Sequence, residues 1–106
     1  MYRVLLVDDE YMITEGLKVL IPFEKWNMQV VATANDAETA LAYIKDNPVD
    51  LVITDVNMPG MNGLQMIEQM KASLPNAAFI ILSGYQEFNY VKKAMNLNVV
   101  DYLVKP

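Results

Sequence analysis

Cysteine and histidine are both missing from this chain of 106 residues. Without cysteine there is neither a disulfide nor a thiolate zinc site. Without histidine the commonest general base and metal ligand is gone. Metal chemistry, if any, must then be all-oxygen, which favours magnesium or calcium. An excess of positive charge is lacking too. Eight Lys and Arg stand against 13 Asp and Glu, a net charge of −5 that disfavours binding nucleic acid through this segment. No apolar run approaches the length of a membrane span, and Asp8 and Asp9 interrupt the opening MYRVLLVDDE, which therefore does not read as a signal peptide. These absences predict an acidic, cytoplasmic domain with no membrane partner.

What is present is a core. Hydrophobic residues make up 54% of the chain, too many for a disordered segment, and the length suits one domain rather than two. The stretch Leu51 to Gly60, LVITDVNMPG, organises the rest. Its apolar run reads as a strand buried on both faces of a parallel sheet, and Pro59-Gly60 requires that strand to end close to Asp55. A carboxylate at the carboxyl edge of a central strand stands where open α/β sheets bind their ligands.

Tyr2 to Val7 reads as a first strand, stopped by Asp8-Asp9. Ile13, Leu17, Leu20 and Ile21 then fall at helical spacing and predict a first helix that Pro22 ends, with Phe23 and Trp26 covering an edge of the core. Met28 to Ala34 is a second strand. Asn35 offers an N-cap with Glu38 as its capping-box partner, and Ala37, Ala40, Leu41 and Ile44 form the inner face of a second helix that Pro48 terminates. Asn62-Gly63 opens a third helix, with Leu64, Ile67, Met70 and Leu74 inward and Pro75-Asn76 at its close. Ala78 to Leu82 is a fourth strand, about Phe88 to Leu97 a fourth helix, and Val99 to Val104 a fifth strand, with Asn98 at the intervening helix stop. Five strands alternating with helices demand parallel pairing and right-handed crossovers. The eight Met residues stand mostly at core spacing, as packing filler.

In a parallel sheet all carboxyl ends share one edge. That edge would collect Asp8, Asp9, Asp55, Ser83 and Lys105 from four strands. Each has an ordinary explanation: Asp8-Asp9 a cap before the first helix, Ser83-Gly84 a turn, Lys105 a solvated strand end. Together they suggest more. Carboxylates about 4 Å apart repel by on the order of a few kcal/mol at a surface-like effective dielectric. A divalent cation with oxygen ligands relieves this, and a Lys ammonium adds to the relief. A hydroxyl, a Lys and a magnesium ion can cradle a phosphoryl group, and a carboxylate such as Asp55 can be the nucleophile that accepts it.

The acidic pair in VLLVDDE, the block LVITDVNMPGMNG, ILSG and DYLVKP occur in that order, and through them the sequence resembles the receiver domain of two-component response regulators over its whole length. The resemblance implies a flavodoxin-like, doubly wound, five-stranded parallel sheet of order 2-1-3-4-5. Carried over by position, it implies that Asp55 is the phosphoacceptor. Asp9 and Asp55 would coordinate Mg2+ directly, Asp8 through a water, and Asn57 through its backbone carbonyl. Ser83 would bind a phosphoryl oxygen and move with it, and Tyr102 would turn inward behind it, although a half-buried aromatic that never switches fits the same position. Lys105 would pair with the acyl phosphate across a cis Lys105-Pro106 bond. Asn62 and Asn98 stand where the family usually has Asp and Gly.

The segment SGYQEFNYVKKAM looks like receivers that precede an AraC-type helix-turn-helix domain. DNA contact would then come only through an output domain outside these residues. Residues 1–106 would form a receiver domain truncated before the family's fifth helix. Its loss is expected to expose apolar surface on strands one, three and five, allowing a receiver homodimer. The expected role is a switch rather than an enzyme, fed by a sensor histidine kinase. Two rivals belong to other classes. A phosphatase of the haloacid dehalogenase class would want a second Asp where Asn57 stands, and a substrate pocket for which no residues remain. A degenerate module that never takes phosphate would not need the full set of polar positions.

Overall fold

The computed structural model describes residues 1–83 and 101–104. Four strands form in order of sequence: β1 (Tyr2–Val7), β2 (Met28–Ala34), β3 (Leu51–Asp55) and β4 (Ala78–Ser83). They are joined by α1 (Tyr11–Leu20), a short 3-10 helix (Phe23–Trp26), α2 (Ala37–Asp46) and α3 (Gly63–Ser73). All strand pairing is parallel: β1 lies between β2 and β3, and β4 flanks β3 on its other side. The backbone of β5 (Asp101–Val104) runs parallel beside β4. The expected fourth helix, Asn98, Val99 and Val100 lie outside the described residues.

The inner strands β1 and β3 and their neighbour β4 carry apolar residues on both faces because each face meets a helical layer. On one face Leu5, Val7, Val52, Phe79 and Ile81 pack with α2 and α3 residues, among them Ala40, Ile44, Ile67 and Met70. On the other, Val4, Leu6, Leu51, Ile53 and Leu82 pack under Phe23, Ile13 and Leu17. Alternate residues of one strand thus enter opposite layers, as the pleat requires. Of the exposure expected on strands one, three and five, that on strands one and three does not occur, and the side chains of strand five lie outside the described residues. Val4 and Leu6 are fully buried and Ile53 is 2% exposed.

Three local expectations are corrected. Leu20 is 77% exposed, whereas Thr14 is buried. The face of α1 that meets the sheet is centred between Ile13, Leu17, Ile21 and Thr14, which carries Leu20 past its flank. Trp26 is exposed, so Phe23 alone of that aromatic pair enters the core. The cap of α2 is Asp36, not Asn35: its carboxylate accepts the Thr39 N–H at 2.7 Å. Asn62 does cap α3, in a full capping box with Gln65.

At the amino ends of the strands Asp50 holds three of them together. Its carboxylate accepts the Arg3 N–H at 2.7 Å and faces Arg3 Nε at 3.4 Å. Its own N–H donates to the Arg3 carbonyl, and its carbonyl accepts from Ala78 N–H. The Arg3 backbone hydrogen bond holds the Asp50 carboxyl below its ordinary value of 3.8, and the Thr39 N–H does the same for Asp36. Both groups bind protons more weakly folded than unfolded. Their contribution to stability is therefore present above about pH 4 and lost as pH falls through the lower folded values. Urea titrations from about pH 5 downward are expected to give a shallower acid loss for Asp50→Asn than for the unaltered chain. Parallel curves would refute this.

Candidate functional site

The carboxyl edge of the sheet is built by register. Val7 of β1 pairs with Thr54 of β3, so the next residues, Asp8 and Asp55, leave adjacent strands at the same level. Asp55 pairs with Leu82 of β4, so Ser83 comes one step beyond it. Ser83 in turn lies beside Val104, the residue before Lys105. Asp8 and Asp55 are each only 2% exposed, while Asp9, Glu10 and Asn57 are exposed.

Asp8 has a local duty as well. Its N–H donates to Ala34 at the end of β2, and its Oδ1 accepts the Glu10 N–H at 2.9 Å, turning the chain into α1. The ordinary reading of Asp8 as a cap before the first helix is thus part of what it does. The acidic group is larger than the sequence reading allowed. One carboxylate oxygen from each of Asp8, Asp9 and Glu10 lies within 4.8 Å of the others. Glu10 is the third member of the DDE run, a signal that its place in the turn obscured. Three clustered carboxylates at a strand end are oxygen donors of the kind a hard divalent cation takes, and Asp55, on the neighbouring strand, lies outside that cluster. Burial makes a carboxylate costlier to ionise, and a divalent cation offsets that cost.

Beside this edge an open polar cleft of about 560 Å³ is lined by Asp9, Asn35, Asp36, Glu38, Pro59 and Gly60. Gly60 has φ 79°, a left-handed turn that a glycine adopts without penalty, and it carries the chain from β3 toward α3. A second cleft of about 580 Å³ lies at the end of α1 and along β2, and none of the edge carboxylates lines it. Of the expected site residues, Asp8, Asp9 and Asp55 are brought to one edge, with Asn57 two residues after Asp55. Ser83 and Tyr102 are placed by backbone on β4 and β5. Lys105 and its bond to Pro106 lie outside the described residues. Among the described residues no helix is long and apolar enough to cross a membrane.

A family model for the response regulator receiver domain matches residues 4–106. The transcriptional regulatory protein YesN of Bacillus subtilis is 42% identical over all 106 residues, which cover 29% of its length. The REC domain of AraT, a response regulator from Geobacillus stearothermophilus, superposes with a TM-score of 0.94 at 42% identity, over 99% of this chain and 81% of that one. A two component transcriptional regulator AraC from Clostridium phytofermentans gives 0.91 at 29% identity, over 100% of this chain and 82% of that one. The chain spans less than half the length of the curated relatives it matches.

Proposed function

The chain belongs to the response regulator receiver domain family, and from that premise we propose that it accepts a phosphoryl group on Asp55 from the phosphohistidine of a sensor kinase. The observation that carries this reading is the buried Asp55 carboxylate at the end of β3, beside buried Asp8 on the neighbouring strand. In the transfer, an Asp55 carboxylate oxygen bonds to phosphorus as the phosphorus–nitrogen bond of the donor breaks. The imidazole leaves with that electron pair and, carrying a proton on its other nitrogen, departs neutral.

Asp9 and Asp55 would hold Mg2+ directly, Asp8 through a water, and Asn57 through its backbone carbonyl. When bound, the ion neutralises charge gathering on the phosphoryl oxygens. Glu10, close to Asp8 and Asp9, adds to the field that draws the cation in. Lys105 pairs with the acyl phosphate, Ser83 follows a phosphoryl oxygen, and Tyr102 turns into the space behind it. The switched surface then lies on the segment between β4 and β5 and on β5 itself.

The whole of 1–106 is one receiver unit, with the five-stranded order 2-1-3-4-5 of the flavodoxin-like class, a reading supported by the parallel pairs β2–β1, β1–β3, β3–β4 and β4–β5. Its chemistry is confined to its own phosphorylation and dephosphorylation; it is a cytoplasmic switch and not an enzyme. Its output is a DNA-binding domain of the AraC type, a reading supported by the AraC and AraT neighbours.

Thermal unfolding with magnesium and beryllofluoride, a phosphoryl mimic, tests the site. Magnesium is expected to raise the midpoint, and beryllofluoride to raise it further in the unaltered chain but not in Asp55→Asn. No shift with either ligand would overturn the phosphoacceptor reading.

A further inference from the structure

The backbone at and just after the phosphoacceptor is held by two elements, β3 and α3. Thr54 is fully buried within β3, and its hydroxyl donates to the Asp55 carbonyl at 2.9 Å. The second contact comes from Gly63, the first residue of α3, whose N–H donates to the Val56 carbonyl at 2.9 Å. Gly63 is pressed so closely that a β-carbon there would overlap the Asp55 carbonyl oxygen. That carbon would also lie 3.1 Å from the Asp55 carbonyl carbon and 3.2 Å from Val56 Cα. Unlike Gly60, Gly63 is not in the left-handed region. Its lack of a side chain answers a need for space and not for conformation.

Both contacts are anchored. The Asn62–Gln65 capping box fixes the first turn of α3, and Thr54 sits inside a central strand paired on both sides. The two carbonyls they hold belong to Asp55 and Val56, so the grip extends up to Asn57, whose own carbonyl is the proposed metal ligand. Active geometry must hold within about 0.5 Å to be productive, and side chains that never meet the ligand commonly supply that constraint.

We infer that Thr54 and Gly63 are positioning residues, which set the Asp55 carboxylate and the Asn57 carbonyl for the cation and the phosphoryl group without touching either. The inference rests on the phosphoacceptor reading of Asp55. A purely structural hydrogen bond would lower stability and leave ligand affinity alone; a positioning one must move affinity in protein that is still folded.

Calorimetric titration with beryllofluoride in magnesium, at a temperature where circular dichroism shows each variant folded, separates the two. Thr54→Val keeps the shape and removes the hydroxyl, and is expected to weaken binding roughly three- to tenfold. Thr54→Ser restores the donor and should return affinity to within about twofold of the unaltered chain. Gly63→Ala should weaken binding by about tenfold or more, because the carbonyl has to move. Should Gly63→Ala fail to fold, the Thr54 pair decides. Thr54→Val that unfolds earlier yet binds as the unaltered chain does would overturn the inference alone. An unaltered chain that does not bind, or that binds no better than Asp55→Asn, would sink the phosphoacceptor reading and this inference with it.

Discussion

Phe79→Ala is expected to lower the free energy of unfolding by about 3–5 kcal/mol, the largest effect of any truncation in the α2–α3 layer. Phe79 is 2% exposed and is paired with Val52 at the middle of the sheet. Its ring shares a cluster with Met66, Ile67 and Met70 of α3, all fully buried, and with Ile81 on its own strand. Removing it leaves a cavity that β3 and α3 cannot close without breaking the contacts that seat α3 against Asp55. Domains of this size are stable by only about 5–15 kcal/mol, so a large part of the margin would go. On α1 the same chemistry should cost little. Val19 and Leu20 are 84% and 77% exposed, and alanine at either should shift stability by less than about 0.5 kcal/mol. Urea unfolding of the three variants checks the contrast. A loss below about 1 kcal/mol for Phe79→Ala would mean that the layer repacks and that α3 is not held rigidly.

Asp55→Asn is expected to act in opposite directions with and without metal. In chelator it should stabilise the chain by about 1–2 kcal/mol. Asp8 and Asp55 leave adjacent strands, which run about 4.8 Å apart. Two like charges at a separation on the order of 5 Å and an effective dielectric near 20 would repel by about 3 kcal/mol, part of which the chain's own hydrogen bonds offset. Amide for carboxylate keeps the shape and removes one charge. In saturating magnesium the order should reverse. A cation present at a hundredfold its dissociation constant stabilises by about 2.7 kcal/mol, and the variant lacks a ligand for it. Melting curves of both chains in chelator and in magnesium read all four states. A variant that melts at or below the unaltered chain in chelator would show that the two carboxylates do not oppose folding, and the charge-relief account of the site would fail.

Much of this was legible in the residues themselves. Short continuous apolar runs bounded by breakers marked the strands, and period-3.6 stripes marked the three described helices, because run length and helical spacing are local properties of the chain. Pro59-Gly60 after LVITD told where β3 must stop, and hence that Asp55 stands at a strand end. Other features depended on what each element meets. Leu20 fits a helical stripe but lies off the flank of the face that α1 turns to the sheet, and Met66 is buried because α3 presses more of its girth into the core than one stripe. Asn35 and Asp36 are both competent caps; the path of the chain out of β2 chose Asp36. The approach of Gly63 to the Asp55 carbonyl has no sequence signal beyond a glycine after Asn62, since it depends on how closely α3 packs on β3. Local spacing carries the elements and the residue types at their ends. That Asp8 and Asp55 leave neighbouring strands at one level follows from strand order and register, which are set by long-range packing that no local spacing encodes.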